Sequence, residues 1–202
     1  MRLLRPMSLL LSALVLAACA TTTIRSAWFD TSYKGGPMKR IVVVGVGGQV
    51  ADRRVFEDIF AEQLRAAGVG GIPGYTVAPD EARMDDAAFA AAVERTGADG
   101  VLIVRLLNVD TRTQVSTAMV PGPAWWGPDA GFYGPVWFPQ TQVSQYEIAR
   151  VESSLYETKT RRMVWAATTD TMNPDTVARE TPRFAEVIIG QLRARGLIAG
   201  KK

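Results

Sequence analysis

The sequence predicts an α/β fold with an α+β-like antiparallel part. A mixed sheet of about five strands carries helices in the order strand–helix–strand–helix–strand–hairpin–helix. Three observations predict it. The run Ile41-Val42-Val43-Val44-Gly45-Val46 is β-branched without polar alternation, as in a strand buried on both faces. Apolar residues then recur at helical spacing in three stretches, each closed by a glycine. Between the second and third stretches, residues 142–169 alternate as two strands around a polar turn.

In order along the chain, residues 20–37 begin polar (Thr21, Thr22, Thr23) and lack periodicity. They are expected to form a short tether, with Trp28 and Phe29 packing back on the domain. The strand at 41–46 follows Lys39 and Arg40. Residues 52–67 place Phe56, Ile59, Phe60, Leu64 and Ala67 on one helical face, with Asp52 as the expected N-cap and Gly68 as the left-handed terminator. Residues 74–78 are expected to form a short second strand, closed by Pro79. Asp85 caps a second helix through Glu94 that turns Phe89, Ala92 and Val93 inward and ends at Gly97. Residues 100–109 read as a third, central strand. The hairpin pairs residues 142–158 with 163–169 across a turn at 158–162. Thr181 and Pro182 then look like an N-cap and a first helical residue, followed by Phe184, Val187, Ile188, Leu192 and Arg195, with Gly196 as the stop. Two right-handed crossovers in the first half are expected to leave their helices on a common face.

The N-terminus carries an export address. Arg2 and Arg5 give a positive start, residues 9–16 an apolar core, and Leu16-Ala17-Ala18-Cys19 looks like the lipobox of bacterial lipoproteins. The apolar run falls short of the roughly 20 residues that a membrane-spanning helix needs. The implied organisation is a signal peptide at 1–18, recognised by its peptidase at Leu16, Ala17 and Ala18, then lipidated Cys19 and tether at 19–37. A single α/β domain follows at 38–198. Two or three acyl chains on Cys19 hold a protein durably on the lipid bilayer, each buried CH2 contributing about 0.8 kcal/mol. Ala20 stands where many Gram-negative lipoproteins retained in the inner membrane carry aspartate. By that resemblance the expected location is the outer membrane, at its periplasmic face.

Composition narrows the chemistry. Removing Arg2 and Arg5 from the 23 basic residues leaves 21 against 20 acidic, a net charge of +1. Nucleic-acid binding calls for a clustered basic face instead. The chain holds one cysteine and no histidine, which excludes an internal disulfide and every Ser-His-Asp or Cys-His triad. No metal, no cofactor and no catalytic group is assigned.

Beyond the lipobox, the chain resembles a group of proteobacterial lipoproteins of unknown function. The shared landmarks are Trp28, the strand Ile41-Val42-Val43-Val44, the segment Arg53-Arg54-Val55-Phe56-Glu57-Asp58, the entry Gly97-Ala98-Asp99-Gly100-Val101-Leu102, and Leu155-Tyr156-Glu157 with Val164-Trp165. The likeness covers most of the mature chain and implies an envelope location without an activity. In topology alone the element order is also similar to small α/β domains of other envelope lipoproteins, an analogy of fold and not of function.

Four features are candidate sites. Gly45, Gly47 and Gly48 lie between strand and helix, where phosphate-binding loops occur, but Val50 fills the last glycine position of G-x-G-x-x-G. A tight turn needing glycine dihedrals is the competing reading. Of Arg53 and Arg54, one is expected to pair with Glu57 or Asp58 and the other to face solvent. The acidic cluster Asp80, Glu81, Asp85 and Asp86 lacks calcium-loop spacing and reads as a capped helix start.

The fourth feature is the insertion at 120–140. It holds three of the five tryptophans together with five prolines and four glycines, a composition that reads as a long irregular loop. Trp125, Trp126, Phe132, Tyr133, Trp137 and Phe138 either cover the sheet or stay exposed to contact an envelope protein, a glycan or a bilayer. Three functions follow: a non-enzymatic binding or assembly lipoprotein, a nucleotide- or anion-binding or enzymatic domain at the glycine turn, or a subunit of an oligomeric envelope channel.

Overall fold

The structure is a computed structural model and describes residues 22–78, 85–121 and 137–199, with only the backbone of Pro121, Trp137 and Phe138. Leu16, Ala17, Ala18, Cys19, Asp80, Glu81, Trp125, Trp126, Phe132 and Tyr133 lie outside the described residues. The elements are β1 (Thr22–Phe29), β2 (Arg40–Val46), α1 (Val50–Ala66), β3 (Gly70–Pro73), α2 (Gly74–Val77), α3 (Asp86–Thr96), β4 (Gly100–Pro121), β5 (Trp137–Glu157), β6 (Met163–Met172) and α4 (Val177–Ala194). The α/β class is as the sequence predicts. The mixed sheet has six strands in the order β1-β6-β5-β4-β2-β3.

Strand β2 is parallel to both β3 and β4, and the remaining pairs are antiparallel. The chain steps from β2 outward to β3, then back across β2 to β4. Right-handed crossovers taken in opposite directions deposit their helices on opposite faces, which corrects the expected common face. Phe60 and Leu64 of α1 pack with Phe184, Ile188 and Leu192 of α4 over Ile41, Val43, Leu102, Leu155 and Trp165. Val93 of α3 packs behind the sheet on Val42, Val44 and Val101. Alternate residues of β2 thus enter two cores, as its unbroken apolar run requires.

The expected tether is instead strand β1, paired with β6 at the sheet edge. Its inward face carries Ile24 and, after a bulge at Arg25, Phe29. One extra residue reverses which side of the pleat later side chains occupy. That reversal hid the strand from a search for strict alternation. Trp28 is consequently half exposed rather than packed back.

Strand β3 lies at 70–73 and not at 74–78, which begins with the helical turn α2. A Cβ at Gly71 would stand 2.2 Å from the Ala61 carbonyl oxygen, so glycine is what allows α1 to lie against β3. Propensity disfavours this strand, and close packing decides it.

Two helix starts also differ from expectation. Helix α1 begins at Val50, with Asp52 inside its first turn and Gln49 at the cap position without a side-chain cap bond. Helix α4 begins at Val177, leaving Pro182 inside the helix, and the Thr181 hydroxyl donates to the Val177 carbonyl (2.6 Å). Asp85 does cap α3, its carboxylate accepting from the Ala88 N–H at 2.7 Å, and Gly97 ends that helix at φ 66°. Gly68 and Gly196 follow α1 and α4 at φ 85° and 69°.

Strand β5 starts at Trp137, ahead of the expected 142, and β4 runs well past the expected 109 to Pro121. Strands β4 and β5 stay paired from Gly100↔Glu157 out to Pro121↔Trp137, so Pro139 sits in a strand, opposite Met119. Residues 120–121 and 137–140 of the expected irregular insertion are therefore strand, and 122–136 lie outside the described residues. Strand β6 ends at Met172 opposite Ile148, and β2 ends at Val46 opposite Arg105. Beyond those points β4 and β5 form a two-stranded ribbon with no other strand among the described residues on either side.

Candidate functional site

In an open α/β sheet a crevice forms outside the carboxyl ends of the strands where the strand order reverses. Here that point lies between β2 and β4. A cleft of about 320 Å3 opens there, at the lower end of the ligand-site range. The turn carrying Gly45, Gly47 and Gly48 forms one lip. The start of α4 forms the other, with Asp175, Val177 and Glu180. Val104, Leu106 and Val109 of β4 make the floor with Ala149 and Val151 of β5. A bulge between Leu106 and Asn108 brings both Leu106 and Val109 to this one face. Phe56, Phe60 and Phe184 pack as a tilted cluster with centroids 5.6–6.0 Å apart, and Phe56 and Phe184 close the inner end.

The glycine turn is built for backbone reasons. Gly47 and Gly48 have φ values of 91° and 74°, where a side chain is strained. Gly45 has another role, because a Cβ there would lie 3.1 Å from Arg53 Cγ and 3.2 Å from Phe56 Cδ1. The three carboxylates of Asp52, Asp175 and Glu180 line the cleft, against the single guanidinium of Arg53. That balance, over an apolar floor, suits an uncharged or cationic apolar group better than a phosphate.

Glu57, which sequence reasoning had treated only as an ion-pair partner, is wholly buried beneath this turn. The Gly45 N–H donates to its Oε1 at 3.0 Å, and the Tyr75 N–H donates to its Oε2 at 2.6 Å. One carboxylate thereby ties the end of β2 to the start of α2. Arg53 approaches Glu57 at 3.9 Å, the i,i+4 pairing expected for one of the two arginines. Arg54 does not simply face solvent: its guanidinium lies over the Tyr75 ring, 5.3 Å from the centroid. The Tyr75 hydroxyl donates to Asp58 at 2.8 Å, and this bond to a carboxylate raises its pKa. Position along the helix gave a usable signal, since Glu57 lies one residue after Phe56 and three before Phe60 on the inward face.

The ribbon is the second candidate site. Val115 and Val143 are a directly opposed pair, 63% and 61% exposed, and Met119 on the same face is 57% exposed. Trp137 and Phe138 belong to β5 at its outer end. Among the described residues no cluster of His, Cys, Asp and Glu is placed to hold a metal ion. No helix among them is long and apolar enough to cross a membrane, which says nothing about strands.

No family model and no curated protein matches the chain. Solved structures to which the chain is similar include a PelC dodecamer from Paraburkholderia phytofirmans. It has a TM-score of 0.45 and 15% identity, over 89% of this chain and 99% of that one. Another is the lipoprotein GNA1162 from Neisseria meningitidis, with a TM-score of 0.40 and 14% identity, over 77% of this chain and 98% of that one. Likenesses this distant carry no argument about function.

Proposed function

We propose that this chain is a non-enzymatic lipoprotein of the bacterial envelope, acylated on Cys19 at the periplasmic face of the outer membrane. It makes its contacts through the β4–β5 ribbon and the aromatic insertion between those strands. The observation that carries this reading is the uncovered ribbon. An isolated two-stranded hairpin is marginal in water and gains stability from a surface laid against it. The lipobox-like Leu16-Ala17-Ala18-Cys19 and the absence of histidine support the same reading.

Two measurements test it. Metabolic palmitate labelling marks the wild-type chain and not Cys19→Ala, and fractionation finds the acylated form with outer-membrane markers. A membrane-bound Cys19→Ala chain, or an unlabelled wild type, overturns the anchor. Replacing residues 122–136, which include Trp125, Trp126, Phe132 and Tyr133, by a two-residue turn removes the partner from an envelope crosslinking pulldown. An unchanged partner set, protein or glycan, removes the insertion from the contact.

The cleft supports a second reading, a small-ligand site. Its apolar floor favours an aliphatic or aromatic ligand over the nucleotide or anion that the glycine turn first suggests. A thermal-shift panel spanning both classes separates them, and silence across the panel removes the reading.

A further inference from the structure

The ribbon has four properties that belong together. First, residues 113–146 contain a single charged side chain, Asp129, whereas 21% of the whole chain is charged. A solvated ribbon with open edges ordinarily carries charges, lysine above all, to prevent edge-to-edge pairing. Second, its two faces differ in kind. One carries Thr113, Val115, Thr117 and Met119 against Gln145, Val143, Thr141 and Pro139. The other carries Gln114, Ser116 and Ala118 opposite Ser144, Gln142 and Gln140. Third, residues 113–121 and 137–145 match the roughly 9–11 residues with which a tilted β-strand crosses a bilayer.

The fourth property is direction. Thr22, where β1 starts, pairs with Thr171, and Thr171 pairs with Ala149 at the base of the ribbon. The Thr22 and Thr171 hydroxyls also lie 2.9 Å apart. Cys19 is three residues upstream of Thr22, so an extended chain places it within about 10 Å of Thr22, which lies two strands across from that base. The ribbon and the acylated terminus therefore leave the same end of the sheet.

We infer that the β4–β5 ribbon is a membrane-crossing hairpin, and that ribbons from several copies of this chain pair edge to edge into a closed barrel. Closure is a physical requirement: a lone ribbon in lipid would leave two rows of backbone N–H and C=O groups without partners. The β4 edge of one copy meets the β5 edge of the next, a head-to-tail contact that closes into a ring. The Val115, Val143 and Met119 face meets lipid. The Gln114, Ser116, Gln142 and Ser144 face lines the interior, the alternation that membrane barrels show. This inference rests on the proposed anchor for its orientation, and it names the partner of the ribbon as further copies and the bilayer.

The test uses the full chain in vesicles of phosphatidylethanolamine and phosphatidylglycerol, acylated in the native background and unacylated in a Cys19→Ser background. Single substitutions Val115→Cys, Ser116→Cys, Gln142→Cys and Val143→Cys are made in a Cys19→Ser background and, in parallel, in the native background, and are labelled with an environment-sensitive maleimide. Positions 115 and 143 are expected to show blue-shifted emission quenched by lipid-borne nitroxide. Positions 116 and 142 stay reachable by a membrane-impermeant thiol reagent, and native mass spectrometry gives a closed oligomer. Four equally water-exposed positions, or a monomer, overturn the barrel.

The double variant Val115→Asp/Val143→Asp changes residues outside both cores, so it melts within a few degrees of wild type and loses insertion. Retained insertion by that variant also overturns the barrel. Intact mass reads acylation separately. Acyl groups without alternation sink the barrel and leave the anchor, and alternation without acyl groups does the reverse.

Discussion

Replacing Glu57 by alanine is expected to destabilise the protein by about 3–5 kcal/mol. The figure follows from what the carboxylate holds. Its two oxygens accept from the backbone N–H groups of Gly45 and Tyr75, and the side chain is wholly buried. Alanine leaves both donors without an acceptor, at about 1–3 kcal/mol each. It also removes the partner of Arg53, whose side chain is only 12% exposed. For a chain of this size each kcal/mol moves Tm by roughly 2–4 °C, so a fall of about 10 °C is expected. Glu57→Gln keeps one acceptor oxygen and turns an amide N–H2 toward the second donor, so it costs less, about 2 kcal/mol.

Urea unfolding of a soluble chain lacking residues 1–19 measures both values, with an unchanged m-value confirming that the same transition is compared. Hydrogen exchange localises the effect, with the Gly45 and Tyr75 amides accelerated more than those in the middle of β5. A cost below about 1 kcal/mol for Glu57→Ala, or a glutamine variant weaker than the alanine one, would refute the clip.

Asp170 accepts from Arg150 at 2.9 Å and from Arg25 at 3.0 Å; the Arg150 bond first, and Arg25 next, hold its carboxyl below the usual range against the opposing effect of burial. A depressed folded pKa contributes stability that is present above about pH 4 and lost as pH falls through the folded value. Asp170→Asn should therefore lower Tm at neutral pH and flatten its decline in acid; an unaltered acid limb would remove Asp170 from that role. Phe184→Ala opens a cavity beside Phe56 and Phe60 and is expected to cost about 3–5 kcal/mol by denaturant unfolding, and a loss under about 1 kcal/mol would mean the cleft collapses to fill it. Gly71→Ala forces α1 away from β3 at a 2.2 Å contact and should cost at least about 2 kcal/mol, whereas Gly36→Ala, with nothing within 4 Å, should be close to neutral; equal costs would contradict the close-approach account.

Different physical signals account for what was legible. The β2 run, the Asp85 cap and the glycines after α1, α3 and α4 are local features, and each marks its element close to the right place. The misreadings share a cause. Strand β1 is interrupted by a bulge, β3 is glycine-rich, and Pro182 and Pro139 sit inside elements that proline ordinarily ends. In each case tertiary packing outweighs a propensity that amounts to about 1–3 kcal/mol. At the outer end of the ribbon, residues 120–121 and 137–140 read as loop because Pro121 and Pro139 carry the local signal, whereas the partner strand holds the register out to Pro121↔Trp137.

The chain's own order of residues determined the α/β class, the absence of histidine and the positions of most helices and inner strands. These depend on neighbours within a turn or two, and neighbouring residues report them. Tertiary structure alone decided that α1 and α3 lie on opposite faces, that Glu57 is a buried clip, and that β4 and β5 run on together past the sheet. Those outcomes depend on partners as far apart as Thr22 and Thr171, and periodicity records that a face is buried without recording what buries it.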